Sequence, residues 1–273
     1  MGDVAGEVES RRLAAAIRRD VLMMVHRARA SHVGSCFSIA DMLAVLYQNV
    51  MQVDPAQPDR ADRDRLIVSK GHAAAAVYAA LANAGFFPRD WLDGYSNNGS
   101  LLTGHVSHAV PGVELSTGSL GHGLSVGVGL ALGARMRREA WRSFVILSDG
   151  ECDEGSIWEA AMFAGHHGLT NLVTLIDYNK IQSFGRVDDV LRLEPFADKW
   201  TSFGWCAIEL DGHDHAALAA ELNRAHDSRP TVLICHTVKG RGVGFMEDRL
   251  EWHYKSPNDE QLALALAEVG ASR

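Results

Sequence analysis

Two short apolar runs joined by a helical pattern constrain the fold of this 273-residue chain more than any other feature. Residues 144–147 and 172–176 each have the length of a buried strand, and apolar side chains recur at helical spacing between them. Strand, helix and strand in so short a stretch form a βαβ unit, whose strands pair in parallel through a right-handed crossover. Residues 205–210 and 231–235 repeat the pattern. We therefore predict an α/β fold with a doubly wound, mostly parallel sheet and helices on both faces.

Polar side chains follow both strands of the first unit. Asp149 comes directly after the first strand, and Asn179 stands just past the second. In open α/β sheets, ligands bind outside the carboxyl ends of the strands. A carboxylate, an amide and a neighbouring main-chain carbonyl form an oxygen set that suits Mg²⁺ or Ca²⁺ bound to a diphosphate. The alternative is that Ser-Asp-Gly at residues 148–150 is only a turn after a strand.

Composition argues against several classes of function. The net charge is −8 and no basic cluster stands out, so we expect no nucleic-acid partner. No apolar stretch is long enough for a membrane span, and the N-terminus lacks a signal pattern. Four cysteines at scattered spacings, without a CxxC pair, are typical of a reducing cytoplasm. We expect one cytoplasmic domain over residues 1–273, with residues 1–12 as a flexible N-terminus.

Three histidines stand beside glycine at the boundaries of expected elements: His32, His72 and His105. A single histidine in such a place is more often structural than catalytic. A cluster, however, suits proton transfer to and from substrate hydroxyls, because imidazole donates, accepts and titrates near neutral pH. Zinc binding is the competing functional interpretation, but the spacing is too wide for common ligand sets and no cysteine pair accompanies the histidines.

A glycine-rich turn precedes the next helix. Gly118, Gly121 and Gly123 allow the backbone to wrap closely around a ligand, and the helix after them would aim N–H groups at an anion. The alternative is a helix that packs tightly on the sheet through small residues. Near the C-terminus, Lys239 and Arg241 either face a phosphate or line a surface loop.

Two local spacings predict helix N-termini. Ser38 and Asp41 have the spacing of a capping box. Asp214 is placed to cap the helix that follows it, and we expect that role rather than catalysis.

The strand ends resemble a known cofactor signature. The strings are DG at residues 149–150, EG at 154–155 and NKI at 179–181. Together they resemble the thiamine-diphosphate signature of the transketolase family, with Ser148 where that signature has its first glycine. The resemblance implies thiamine diphosphate and Mg²⁺ or Ca²⁺ as cofactors. It makes Asp149 and Asn179 side-chain metal ligands, with Ile181 contributing a main-chain oxygen.

Longer strings extend the resemblance to the cofactor cradle. TGSLGHGLSVGVGLALGARM is similar to the family's cofactor-holding segment, with His122 where full-length transketolases commonly have glutamine. The cofactor-binding residues implied by the resemblance are Gly118, Leu120, His122, Gly150, Glu151, Asn179 and Ile181.

The same family has histidines in its substrate channel. SHVGSCFS, VSKGHAAAAVYAAL and GSLLTGHVS resemble the segments that carry them, which implies that His32, His72 and His105 line the passage to the thiazolium ring. TVKGRGVGFMED and EWHY also resemble segments of this family, which implies that His253 lies near the transferred ketol unit. Glu154 either interacts with a helix dipole or, by the resemblance, is an acid linking two cofactor sites across a subunit interface.

The resemblance covers nearly the whole chain but only the diphosphate-binding half of a transketolase. It implies the N-terminal subunit of a split transketolase, which transfers a two-carbon ketol unit between sugar phosphates. Two such chains would join two C-terminal subunits that carry the pyrimidine-binding domain. The alternatives are a biosynthetic transketolase for an unusual sugar, a non-catalytic scaffold, a Mg²⁺-dependent hydrolase using Asp149, and a subunit that is deoxyxylulose-phosphate synthase-like.

Overall fold

The fold is built on a parallel sheet. The computed structural model describes residues 4–224 and 228–271. Within them the strands are β1 (Arg65–Val68), β2 (Ser143–Ser148), β3 (Leu172–Tyr178), β4 (Cys206–Asp211) and β5 (Thr231–His236). They lie in the order β1-β2-β3-β5-β4, and every one of these pairings is parallel. The predicted α/β fold is therefore confirmed.

Helices precede the sheet and connect its strands. Before β1 come α1 (Val4–Ala28), α2 (Val33–Ser38) and α3 (Ala40–Val45), which continues as a wider turn over Leu46–Val50. Between β1 and β3 lie α4 (Ala74–Ala84), α5 (Gly123–Arg137) and α6 (Gly155–His166). The remaining helices are α7 (Val187–Val190), α8 (Phe196–Ser202), α9 (His215–Asn223) and α10 (Asp259–Ala271).

Both faces of the sheet are covered, as strand β2 shows. Phe144 and Ile146 pack into a core formed with α1, α3, α4, α9 and α10. Val145 and Leu147 point the other way, into a core formed with α5, α6 and α8. A parallel strand buried on both faces reads as a continuous apolar run, which explains why the sequence of β2 does not alternate.

The N-terminal region differs from the expectation. Helix α1 begins at Val4, so residues 4–12 are helical rather than a flexible N-terminus; residues 1–3 lie outside the described residues. Ser10 is buried, and its hydroxyl lies 2.8 Å from Nδ1 of His215. Burial of this face against the second half of the domain keeps the first turns of α1 ordered. Within the described part of the chain, no helix combines the length and the apolar character that a membrane crossing requires.

The two capping predictions have opposite outcomes. Asp214 caps α9, since its carboxylate accepts a hydrogen bond from the Ala217 main-chain N–H at 3.1 Å. The capping box at residues 38 and 41 is wrong, because Ser38 ends α2 and its hydroxyl donates to the buried Asp177 at 2.7 Å. Asp41 is engaged instead in a buried ion pair with Arg18. Both side chains bind residues that are distant in the sequence, so neither takes part in the predicted capping box.

Candidate functional site

The carboxyl ends of β2 and β3 meet in one turn. Asp149 is 2% exposed; its Oδ1 accepts from the Gly150 N–H at 2.7 Å and its Oδ2 from the Lys180 N–H at 2.6 Å. Both bonds come from main-chain groups, and the bond from Lys180 joins the end of β2 to the residues after β3. Burial, reinforced by the nearby Asp177 carboxylate, raises the pKa of Asp149 to about 6.

The two residues predicted to complete the metal set belong to the same turn. The side-chain oxygen of Asn179 accepts from the Ile181 N–H at 3.1 Å, and the Asn179 amide donates to Asp177 at 3.0 Å. The Ile181 carbonyl accepts from the Lys239 ammonium at 2.8 Å. Lys180, between Asn179 and Ile181, has a φ of 66°, so the chain turns there. The structure thus brings Asp149, Asn179 and Ile181 together.

A buried ion pair supports this turn, and the sequence reasoning missed it. Lys70 and Asp177 are both fully buried and form a salt bridge. Asp177 also accepts hydrogen bonds from Ser38, Asn179 and Thr237. Burial acts to raise the pKa of Asp177, but Lys70 and these donors outweigh it, so the pKa is lowered. The available signal was an acid within a buried strand, which requires partners.

The four predicted histidines form one cluster. The ring centroid of His32 lies 5.2 Å from that of His72, 6.0 Å from that of His105 and 5.0 Å from that of His253. His32 has a φ of 74°, and its main-chain N–H donates to the His253 carbonyl at 2.9 Å. The start of α2 is therefore tied to the short turn Leu250–His253. Histidines from distant parts of the chain thus come together in one cluster.

Three histidines of this cluster, His32, His72 and His253, are neutral at neutral pH. Burial, aided by the charges of His105 and Lys239, lowers the pKa of His32 to about 4. Burial and the charge of Lys239 lower the pKa of His253 to about 3, and burial holds the pKa of His72 well below its ordinary value. Neutral imidazole both donates and accepts hydrogen bonds, so the cluster can contact hydroxyl groups of either orientation.

Lys239 connects the strand-end turn to the histidine cluster. Its side chain is 2% exposed, and its ammonium lies 3.2 Å from Nδ1 of His253 while donating to the Ile181 carbonyl. Burial and the neighbouring Lys70 lower the pKa of Lys239 to about 8. Lys239 therefore belongs to the interior of the site, whereas Arg241 is exposed and lies 3.7 Å from Glu247.

The glycine-rich turn contacts both the histidine cluster and the residues after β2. A Cβ added at Gly118 would lie 3.2 Å from Cδ2 of His105, so a side chain there would crowd that ring. Gly121 has a φ of 85°, and its N–H donates to the Glu151 carboxylate at 2.8 Å. Leu120 is half-buried next to it, and His122 is exposed directly before α5.

Two predicted acids lie elsewhere than in the histidine cluster. The carboxylate of Glu151 is fully buried and accepts from Ser69, Gly121 and the Ser148 N–H, so it holds the glycine-rich turn instead of facing an open pocket. Glu154 is exposed at the N-cap position directly before α6, and its side chain forms no capping hydrogen bond. Its predicted role across an interface stays a prediction.

Comparison with known proteins decides the family. Residues 9–272 match the family model described as "Transketolase, thiamine diphosphate binding domain". The chain belongs to the transketolase family. The resemblance stated from the strings DG, EG and NKI is thereby confirmed.

Some relatives of this transketolase chain are similar to it in length, and others are much longer. It is 41% identical over 254 residues to one subunit of the apulose-4-phosphate transketolase from Phocaeicola vulgatus, covering 92% of this chain and 90% of the relative. It is 39% identical to one subunit of the 6-deoxy-6-sulfo-D-fructose transketolase from Clostridium sp., covering 96% of this chain and 97% of the relative. The solved transketolase from Leishmania mexicana superposes with a TM-score of 0.89 at 31% identity, covering 96% of this chain. The chain spans only 41% of that structure.

Proposed function

We propose that this chain is the thiamine-diphosphate-binding subunit of a two-subunit transketolase that transfers a two-carbon ketol unit between sugar phosphates. The observation that carries the proposal is the junction of the turn at Asp149 and Asn179 with the cluster of four histidines, bridged by Lys239. A cofactor bound at the strand ends would present its reactive part toward the cluster. The membership of the chain in the transketolase family supports the same chemistry.

A divalent cation fits the strand-end turn. Asp149 is a buried carboxylate whose two described hydrogen bonds come from main-chain N–H groups. Burial raises its pKa, so a bound cation would relieve the unfavourable burial of its negative charge. Asn179 and Ile181 add neutral oxygens, the donor type that Mg²⁺ and Ca²⁺ accept together with phosphate oxygens. We assign the metal to these three residues, and the diphosphate to the neighbouring Gly118–Gly121 stretch and Gly150.

The residues of this chain then have separate tasks. Thiamine diphosphate, when bound, supplies the nucleophilic carbon that the protein alone lacks. The rings of His32, His72, His105 and His253 bind and orient sugar hydroxyls, and they accept or donate the proton at those oxygens. Lys239 holds the Ile181 carbonyl and the ring of His253 in fixed relation.

A second subunit completes the enzyme in this proposal. Its support is the pair of relatives named as subunits, which this chain matches over 90% and 97% of their length, against 41% of a full-length transketolase. Helices α5 and α6 expose four apolar side chains that a partner subunit would cover, Val126, Met136, Met162 and Phe163. We propose two copies of each subunit, with Glu154 at the interface between cofactor sites. The relatives' names, one for a sugar phosphate and one for a sulfo sugar, favour an unusual sugar as substrate.

We also place the enzyme in the cytoplasm. Cys36, Cys152 and Cys235 are buried thiols, and none of them is part of a disulfide. Burial raises the pKa of Cys36 to about 11, so this thiol stays protonated. Unpaired, unreactive thiols are typical of proteins in reducing compartments.

The test is reconstitution with a partner subunit that carries the pyrimidine-binding domain. We expect ketol transfer from a ketose phosphate to an aldose phosphate that requires both subunits, thiamine diphosphate and Mg²⁺. His105→Ala should reduce the transfer while cofactor affinity is kept, because His105 lies in the cluster and not at the strand ends. His108→Ala is the matched control, since that exposed ring lies 2.7 Å from the Ser116 hydroxyl and outside the cluster.

Three results would contradict the proposal. Full transfer by this chain alone would remove the need for a second subunit. Phosphate release without thiamine would favour a hydrolase that uses Asp149. Cofactor binding without any transfer in the assembled complex would favour a scaffold role.

A further inference from the structure

His213 contacts two distant parts of the chain and belongs neither to the strand-end turn nor to the histidine cluster. It stands in the link between β4 and α9, and its side chain is 8% exposed. Nδ1 lies 2.6 Å from the Asp41 carboxylate, and Nε2 accepts from the Val238 main-chain N–H at 2.9 Å. Because the amide can only donate, Nε2 is unprotonated, and the ring proton sits on Nδ1 and is donated to Asp41. One tautomer satisfies both contacts.

Asp41 is held in place from several sides. Arg18 donates to both of its carboxylate oxygens, and Nε2 of His215 lies 3.0 Å from one of them. Burial acts to raise the pKa of Asp41, but the Arg18 charge and the bonds from both histidines hold it well below its ordinary value. The carboxylate is therefore an anion at neutral pH, and it fixes the ring of His213.

The Nε2 atom of His213 binds the main-chain N–H of Val238, the residue directly before Lys239. Val238 follows β5, and the hydroxyl of the preceding Thr237 donates to the buried Asp177. A Cβ at Gly212 would overlap Cγ2 of Thr237, so the His213 loop lies directly against this peptide. The main chain is thus anchored at Thr237 and at the N–H of Val238, and the next side chain is the buried Lys239.

We propose that His213, oriented by Asp41, is a positioning residue that sets the place of Lys239 and, through it, of the Ile181 carbonyl and the His253 ring. This inference rests on the proposed function, since it assigns the contact a role in cofactor and substrate binding. The chain of contacts runs Asp41 to His213 to Val238, then from Lys239 to Ile181 and His253. His213 itself touches neither the strand-end turn nor the histidine cluster in these contacts.

Two substitutions of His213 test the contacts of its two ring nitrogens separately. In His213→Gln, the side-chain amide reaches the place of Nε2 and keeps an acceptor for the Val238 N–H. In His213→Asn, the shorter amide reaches only the place of Nδ1, so it keeps the bond to Asp41 and loses the bond to Val238. His215→Asn is the control, because His215 also bonds Asp41 but its other nitrogen faces Ser10 at 2.8 Å.

The measurements are calorimetric affinity for thiamine diphosphate with Mg²⁺ in the assembled complex, hydrogen exchange at the Val238 amide and urea unfolding. We expect His213→Asn to weaken the cofactor affinity about tenfold, the effect of losing one positioning hydrogen bond. It should also speed exchange at Val238. His213→Gln should stay within about threefold of the wild type, and so should His215→Asn, even where unfolding shows a loss of stability.

The outcomes distinguish this inference from the proposed function. If the wild-type complex binds no thiamine diphosphate, the proposed function fails and the inference fails with it. If the wild type binds but His213→Asn binds equally well, only the inference is overturned. An affinity loss in His215→Asn as large as in His213→Asn would also overturn it, because the effect would then follow stability and not the position of Lys239.

Discussion

The ion pair between Lys70 and Asp177 gives the sharpest test of how the site is supported. Both side chains have 0% exposure, so removing one partner leaves a buried charge without its counter-charge. Asp177→Ala leaves the Lys70 ammonium with the Ser35 carbonyl at 3.2 Å, and we expect a loss of about 3–5 kcal/mol in the free energy of unfolding. Lys70→Met leaves Asp177 with three hydrogen-bond donors, so the loss should be smaller, about 1–3 kcal/mol.

Urea unfolding of the two single variants and the double variant measures the coupling. The double variant should be more stable than the sum of the single effects implies, by about 2–3 kcal/mol. The exposed pair of Arg12 and Glu9, with side-chain exposures of 70% and 51%, is the control and should show a coupling below about 0.5 kcal/mol. Additive effects at Lys70 and Asp177 would refute the reasoning, because they would mean that neither charge depends on the other.

Three further predictions concern stability. Folding lowers the pKa of the buried histidines, to about 4 for His32, so protonation of these rings favours the unfolded chain. The free energy of unfolding should therefore be highest above about pH 6.5 and should decrease as the pH falls toward 4. His32→Asn should flatten that decline in urea titrations at stepped pH, and an unchanged slope would contradict the assignment. Gly165→Ala should cost about 1–3 kcal/mol, since its Cβ would overlap the Phe203 carbonyl, whereas Gly133→Ala, which has open space, should be neutral or stabilising in the same denaturation assay. Asp214→Ala should cost about 1 kcal/mol through loss of the α9 cap; no change in the urea midpoint would argue against that cap.

The sheet and the strand-end turn could be predicted because their signals are local. A buried strand of about four to seven apolar residues, a helical period and a polar residue at the strand end all lie within one βαβ unit. The structure confirmed the parallel order and placed Asp149 and Asn179 in one turn. The histidines could be predicted from their glycine neighbours and from the family resemblance.

The supporting contacts could not be predicted, because their partners are distant in the chain. Lys70 and Asp177 are 107 residues apart, and Asp41 and His213 are 172 apart. Asp41 also stood at capping-box spacing from Ser38, a local pattern that tertiary contacts overrode. A single sequence shows that a buried acid needs a partner, but only the fold shows which side chain reaches it.

The central claim is that a divalent cation and a diphosphate are bound where β2 and β3 end. Titration of thiamine diphosphate into the assembled complex, with Mg²⁺ and then with a chelator, measures it directly by calorimetry. We expect saturable binding that requires Mg²⁺ in the wild type and is lost in Asp149→Ala, while Asp153→Ala, a partly exposed acid in the turn that follows, keeps it. Equal affinity in the presence of the chelator, or undiminished binding by Asp149→Ala, would contradict the account.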